Sequence, residues 1–449
     1  METIILQKGR DLKLKGAALK QIISLASAAR IAIRLADFRG LKPKLDVQEN
    51  DVIKVGSPIL SDKNNPTIKI VSPVSGKVIA IVRGEKRVLL QIIIESDRRQ
   101  ETLGLHKFSV EEIKKMARHD AIQQLLDGGM WPAIRQRPFS RLANPSDHPK
   151  SIFVQGMNSE PLAPDFDFLL QGQEGLFQAG LEVLRRLTDG EVHLCISDKA
   201  TSPALTQSQN VRIHRFAGPH PTGNVSTHIH FIDPIKKGDI VWYISAPDVL
   251  RGAALFLNGS YSGERVVALT GEGADNRVYV KTLVGSSIHD VMGGKLKGDM
   301  RYISGSVFNG TNAGQNGFLG FYDSQITVIP EGGERHFLGW LTPGWKAYSF
   351  SKTFLSSFFP EKEISLDTDA KGSERAIVLN DSYDRYVALD ILTFFLIRAI
   401  YSGDIEEAEK LGILECDEED FALCSFADPS KLDIGGIIRQ GLDEIEREG

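Results

Sequence analysis

A chain of 449 residues with a formal net charge of −5 and 25 % charged residues is long enough for two to four domains, and it lacks the basic excess that nucleic-acid binding calls for. Its best apolar run, Val387 to Tyr401, is broken by Asp390 and Arg398, whereas a membrane-spanning helix needs about 20 residues with few or no charges. Three cysteines, Cys195, Cys416 and Cys424, form neither a disulfide framework nor a Cys-x-x-Cys metal site, which fits a reducing cytoplasm.

Basic residues crowd the opening segment at Lys8, Arg10, Lys13, Lys15 and Lys20. Asp11 and strand-like apolar neighbours interrupt them, so a solvated face is expected rather than a targeting peptide. Next come Asn50 to Leu60, turning at Gly56, and Ile70 to Ile81, with Pro73-Val74-Ser75-Gly76 between β-branched runs. Together they predict a flattened β module of the biotinyl/lipoyl type within residues 1–103. A swinging cofactor in such a module sits on a hairpin-tip lysine, and Lys63 is the lysine placed for it. The following Asn64-Asn65-Pro66 and the lack of apolar neighbours favour a carrier fold used as plain scaffold.

Over residues 104–255 the pattern alternates. A helix is expected from Glu111 to Leu126, a strand at Ser151-Ile152-Phe153-Val154 and a helix from Glu174 to Leu187. Strands follow at Glu191 to Ile196 and Val211 to His214, which predicts a Rossmann-like parallel sheet. A nucleotide site would need Gly-x-Gly-x-x-Gly at a strand-to-helix turn; the strand at Phe153 runs instead into Gln155-Gly156-Met157-Asn158-Ser159-Glu160-Pro161. Over residues 256–330, Arg265 to Gly273 and Arg277 to Gly285 read as a hairpin followed by a short helix at Ser287 to Met292, a β-grasp-like arrangement. The glycine-rich Gly305 to Gly320 lacks the Gly-Lys-Ser/Thr of a P-loop and reads as a mobile connection or a backbone docking surface. Residues 331–449 predict a helical bundle, with helices at Leu389 to Ala399, Ile405 to Leu411, Glu418 to Leu423 and Gly435 to Glu446. Asp404 and Asp417 are the expected N-caps.

Chemistry is sparse. His220, His228 and His230 form the best metal candidate, with His228 and His230 on one face of an expected strand; an ordinary half-buried strand reads equally from the same residues. Glu418 and Glu419 are expected to complement a helix macrodipole. Trp340 and Trp345, on rigid turns with Gly339, Pro343 and Gly344, suit core packing or a surface for a quinone or a partner.

The chain resembles the A subunit of the sodium-translocating NADH:quinone oxidoreductase. The resemblance is carried by Lys63-Asn64-Asn65-Pro66, Ser72 to Val78, Arg83-Gly84-Glu85-Lys86-Arg87, Gly218-Pro219-His220-Pro221 and Thr227 to Phe231. It continues through Ile303 to Val307, Gln325 to Gly332, Gly339-Trp340 with Pro343-Gly344, and Leu414 to Asp420. It implies a peripheral subunit on the cytoplasmic side of the membrane, within a six-subunit respiratory complex that passes electrons from NADH to ubiquinone and exports sodium. Membrane and peripheral subunits are then the partners, and NADH, flavins and iron–sulfur belong to them. The resemblance further implies kinship with the flavin-binding NADH subunit of complex I and the C subunit of the Rnf complex, and with it a soluble-ligand-binding (SLBB) β-grasp domain. The relatives' glycine-rich loop and Cys-x-x-Cys-x-x-Cys run are missing, which agrees with a scaffold kept without the redox centres; that the chain itself binds ubiquinone is a suggestion of the resemblance alone. Ala17 to Phe38 departs from the family in being more basic and alanine-rich. The expected role is a structural or quinone-associated subunit without a redox cofactor of its own. The alternatives are a free-standing carrier with a lipoyl or biotinyl group on Lys63 and a zinc hydrolase on the three histidines.

Overall fold

The computed structural model describes residues 2–25, 28–333, 341–345, 347–359, 363–370, 372–378 and 382–448. Strands Ser151–Gln155, Glu191–Ser197 and Val241–Ser245 are apolar runs buried on both faces, as parallel strands covered by helices must be. They form the centre of a seven-stranded sheet ordered Thr3–Ile5, Arg212–Ala217, Glu191–Ser197, Ser151–Gln155, Val241–Ser245, Arg135–Arg137, Arg141–Leu142. The first five strands are parallel and the last two close the edge as an antiparallel hairpin. The chain winds outward from Ser151–Gln155 in one direction, then returns to place Val241–Ser245 on its other side. This reversal opens a crevice at the carboxyl ends of those two strands.

Helices Glu174–Leu187 and Ala246–Asn258 cover one face. They approach closely because Gly180 lies against Val249, where a Cβ would come within 2.5 Å of that side chain. Beneath them Trp131 and Trp242 meet edge to face with centroids 5.3 Å apart. The helix expected over Glu111 to Leu126 is two helices, Val110–Lys115 and Arg118–Asp127, with Met116 and Ala117 extended between them. Its apolar periodicity survives the break, since Ile113, Ile122, Leu125 and Leu126 share the main core.

The N-terminal module is built of a four-stranded sheet (Arg30–Arg34, Leu89–Ser96, Gly76–Arg83, Val52–Ile53) and a three-stranded one (Pro43–Leu45, Pro58–Asp62, Lys69–Val71). The β-grasp sheet is ordered Thr311–Asn312, Met300–Ser304, Gln325–Pro330, Glu264–Thr270, Val278–Leu283, Leu19–Ser24. Its last strand comes from the start of the chain and runs parallel to Val278–Leu283. The opening segment thus serves two distant sheets, Thr3–Ile5 beside Arg212–Ala217 and Leu19–Ser24 beside Val278–Leu283. The C-terminal part is helical at Thr393–Tyr401, Ile405–Lys410, Ala422–Ala427 and Ile434–Glu448, around a separate core of Leu396, Ile400, Ile413, Phe421, Ile438 and Leu442. Asp404 and Asp417 cap as expected, each accepting a backbone N–H.

The crossing of Gly16 and Gly271 holds the opening segment to the β-grasp domain. Gly271 N–H donates to Gly16 O at 2.9 Å, and both glycines have left-handed φ. A Cβ on Gly16 would come within 2.4 Å of the Gly271 carbonyl carbon. Gly16→Ala is therefore expected to cost more than about 1 kcal/mol. Thermal unfolding checks it, and an unchanged melting temperature would show that the crossing tolerates a side chain.

Candidate functional site

All four parts of the chain meet at the crevice, a cleft of about 350 Å³. Gln155 and Ser245 mark the ends of its two flanking strands. The N-terminal module contributes Arg34, Asp37 and Arg39, the β-grasp domain Ser306, Tyr322 and Asp323, and the C-terminal part Asp417, Glu418 and Glu419.

The floor begins at the amino terminus of helix Ala246–Asn258, where unsatisfied N–H groups and the helix dipole favour an anion. The chain supplies that anion itself. Ser245 Oγ accepts from Asp248 N–H and donates to the Asp248 carboxylate at 2.7 Å. Asp248 Oδ1 then receives Arg251 Nη1 at 2.8 Å and Arg265 Nη2 at 2.7 Å, all three side chains being buried. Burial alone would raise the Asp248 carboxyl, but the Arg265 and Arg251 guanidiniums outweigh it and hold the group below the ordinary carboxylate range. Arg265 Nη1 also donates to Tyr322 O at 3.1 Å, so the α/β and β-grasp domains share one ion cluster.

A second junction lies across the cleft. Glu160, in the loop after strand Ser151–Gln155, accepts from Ser306 Oγ at 2.9 Å and Asn309 Nδ2 at 2.6 Å. Burial raises its carboxyl despite those donors. The Gly305 to Gly320 stretch, expected as a mobile connection or backbone docking surface, lines this wall. Gly305 has φ +96 and sits so near Gly310 that a Cβ would approach its Cα at 2.9 Å.

The roof is the turn Asp417 to Asp420. Asp417 accepts from Ser140 Oγ at 2.5 Å and pairs with Arg137 at 3.3 Å, while Arg39 reaches Glu418 at 2.9 Å. Arg137 is fully buried and donates to Cys416 O and Ser226 Oγ. For Asp417, burial is overcome by Arg137 and Arg39, and the carboxyl is lowered. For Glu419, burial and the neighbouring Asp417 and Asp420 push the carboxyl up to about 8. Glu418 and Glu419 stand in the first turn of the short helix Glu418–Phe421, as expected, and they also pair with arginines far along the chain, Glu418 with Arg39 and Glu419 with Arg137 at 3.4 Å. Between roof and floor, the Arg135 guanidinium is stacked between the Tyr243 and Tyr322 rings at 4.5 Å from each centroid, and it makes no hydrogen bond or ion pair among the described residues.

The strand expected at His228-Ile229-His230-Phe231 is part of helix Val225–Ile232. The helix buries Val225 to Ile229 in succession, and a four-residue alternation is too short a run for period alone to separate helix from strand. Two residues apart on a helix, His228 and His230 point in different directions. His228 Nε2 is 3.0 Å from Thr222 O, His230 Nδ1 2.7 Å from Glu415 Oε2, and His220 Nδ1 3.1 Å from Ser159 Oγ. Among the described residues no group of three or more His, Cys, Asp or Glu could hold a metal ion. Lys63 is exposed at the turn after strand Pro58–Asp62. Gly339 and Trp340 lie outside the described residues. Pro343, Gly344 and Trp345 lie away from the crevice, and Trp345 is 63 % exposed rather than packed in a core.

Sequence reasoning passed over Val241-Trp242-Tyr243-Ile244-Ser245-Ala246-Pro247-Asp248, the strand and helix start that make the crevice floor. An apolar run followed by Ser, Pro at the second helical position and Asp at the third carries the signal.

A barrel-sandwich hybrid, a doubly wound α/β domain and a β-grasp domain sharing one buried crevice define a multidomain α/β protein of the SLBB-bearing class. Residues 4–97 match the NqrA N-terminal barrel-sandwich hybrid domain, 116–261 the NqrA second alpha/beta domain and 266–315 the SLBB model described as the NQRA C-terminal domain. The Na(+)-translocating NADH-quinone reductase A subunit of Yersinia pseudotuberculosis is 39 % identical over 450 residues, covering 99 % of this chain and all of the relative. That of Alcanivorax borkumensis is 40 % identical over 448 residues, at the same coverage. A solved NAD+-reducing [NiFe]-hydrogenase in the H2-reduced state aligns with 77 % of this chain and 66 % of its own at 14 % identity and a TM-score of 0.38. The chain belongs to the NqrA family, the A subunits of the Na+-translocating NADH-quinone reductases.

The roof carries a pH signature. Glu419 has a folded pKa of about 8 against an ordinary 4.5, so its contribution is fully present below about pH 4.5 and is lost as pH rises toward 8. Glu419→Gln is expected to match the parent near pH 4.5 and to exceed it in stability at pH 9. Urea unfolding at the two pH values checks this, and a variant less stable than the parent at pH 9 would contradict it.

Proposed function

We propose that this chain is a peripheral, cytoplasmic-side subunit of the sodium-exporting respiratory complex that its relatives' name describes, and that it is a scaffold without a redox cofactor of its own. The observation that carries the scaffold reading is Asp248. In open α/β sheets a nucleotide phosphate sits at the helix amino terminus of the switch point; here the first turn of that helix carries a carboxylate of the chain itself, Asp248, bonded to the N-cap Ser245 and clamped by Arg251 and Arg265. The neighbouring loop, Gln155 to Pro161, is committed to the β-grasp domain through Glu160. No helix among the described residues is long and apolar enough to cross a membrane, which supports attachment through membrane-embedded partner subunits.

A quinone-associated role has one observation in its favour. The Arg135 guanidinium, stacked between two tyrosine rings and without an ion pair among the described residues, is the donor in the crevice best suited to a quinone carbonyl. The exposed Trp345 turn suits a surface contact better than a buried quinone.

Affinity purification of the tagged chain from detergent-solubilised membranes tests the proposal. Recovery of hydrophobic partners with sodium-stimulated NADH:quinone reductase activity is expected, and the chain purified alone should be colourless. Recovery of the chain without partners would contradict the subunit reading. A yellow or brown chain with stoichiometric flavin or iron would contradict the scaffold reading.

A further inference from the structure

Residues 341–345 and 347–359 are knit together and turn their large apolar residues outward. Leu355 N–H donates to Pro343 O at 3.0 Å and Ser356 Oγ to Ala347 O at 2.6 Å, joining the two ends of the loop. Gly344, at φ +63, packs so tightly on the Phe354 ring that a Cβ would approach it within 2.4 Å. On the inner side Phe350 meets Tyr386 and Phe426 with centroids 5.1 and 5.3 Å apart, which anchors the loop to the C-terminal helices. On the outer side Leu341, Trp345, Phe358 and Phe359 are 61, 63, 76 and 68 % exposed, and the Trp345 and Phe359 rings lie 6.3 Å apart. Folding leaves such residues in water at a cost, and a contiguous group of them marks a contact surface.

The basic opening segment runs along the flank of this loop, more than 300 residues away in sequence. Arg10 stacks on the Phe350 ring at 4.2 Å and donates from Nη1 to Phe350 O at 2.7 Å. Ile364, just past the loop, exchanges backbone hydrogen bonds with Lys13 and Lys15, and Lys8 Nζ reaches Leu389 O. Asp11, the acid within that run, accepts from His220 N–H at 3.0 Å. Within 341–359 the sequence holds Lys346, Lys352, six serines and threonines, and no Asp or Glu; Glu361 and Glu363 come after Pro360.

We propose that this loop and the basic run beside it form one surface that rests on an anionic lipid bilayer, with Leu341, Trp345, Phe358 and Phe359 in the headgroup boundary and Lys13 and Lys352 toward the headgroups. Charge complementarity selects this occupant. Tryptophan, phenylalanine and leucine on the exposed side, hydroxyls between them and, within 341–359, lysines without acids are the composition of interfacial membrane contacts; Glu363, beside Ile364, is the acid at the edge of the surface. The proposal deepens the peripheral-subunit reading by naming what the chain itself touches.

Flotation of the full-length chain with vesicles of phosphatidylcholine, alone or mixed with phosphatidylglycerol, tests it. Binding to the mixed vesicles only, weakening with salt, is expected. Lys13→Glu with Lys352→Glu should weaken it by about fivefold or more for each cation reversed, and Trp345→Ser with Phe358→Ser and Phe359→Ser should abolish it. If the aromatic variant fails to fold, the charge variant decides alone. Absence of flotation by the parent chain, equal binding to neutral vesicles, or parental binding by a folded variant would overturn the proposal. Co-purification of the chain with membrane subunits but no vesicle binding would leave the peripheral reading standing and assign the loop to a protein partner instead.

Discussion

The carboxylate of Asp248 is the constraint on which the rest of the crevice depends. It accepts from Ser245, the cap of the helix that starts at the switch point, and it receives one arginine from that helix and one from the first β-grasp strand. Two domains are thereby fixed to each other through a group that neither could leave unpaired. A buried charge stripped of its partner is far costlier than the intact cluster is stabilising. The cluster therefore specifies the arrangement of domains more than it strengthens it.

The other contacts extend the same logic outward. Glu160 ties the loop after strand Ser151–Gln155 to Ser306 and Asn309, and Asp417 and Glu418 draw Arg137, Arg39 and Ser140 under the C-terminal turn. The opening segment then stitches the outer edges, adding one strand to each of two sheets. The switch point, which in other doubly wound folds receives a nucleotide, is here lined by polar groups paired with one another, and the surplus of carboxylates at the roof is tolerated by raising Glu419.

Much of this was legible in local pattern. Helix Glu174–Leu187, the strand at Glu191, the β-grasp hairpin and the caps at Asp404 and Asp417 follow from periodicity and end signals that depend only on neighbouring residues. The family was legible in the order of its motifs. What was not legible is non-local. Strands Thr3–Ile5 and Leu19–Ser24 owe their pairing to partners more than 200 residues away. Glu418 and Glu419 read only as helix-start acids because their arginines, Arg39 and Arg137, lie in other domains. The histidines misled because four alternating residues fit a helix face as well as a strand. Of the crevice, only the loop from Gln155, the Gly305 to Gly320 wall and the acidic turn were noticed in the sequence, and each was read separately.

The central claim is that the switch-point crevice holds the chain together and leaves no seat for a nucleotide phosphate. Thermal unfolding of the full-length protein titrated with NADH tests it most directly, because a ligand that binds only the folded state must stabilise it, by about 2.7 kcal/mol at a hundred times its Kd. The melting temperature is predicted to stay constant across the titration. A saturable rise, abolished by substitutions at Gln155 or Ser245, would contradict the account.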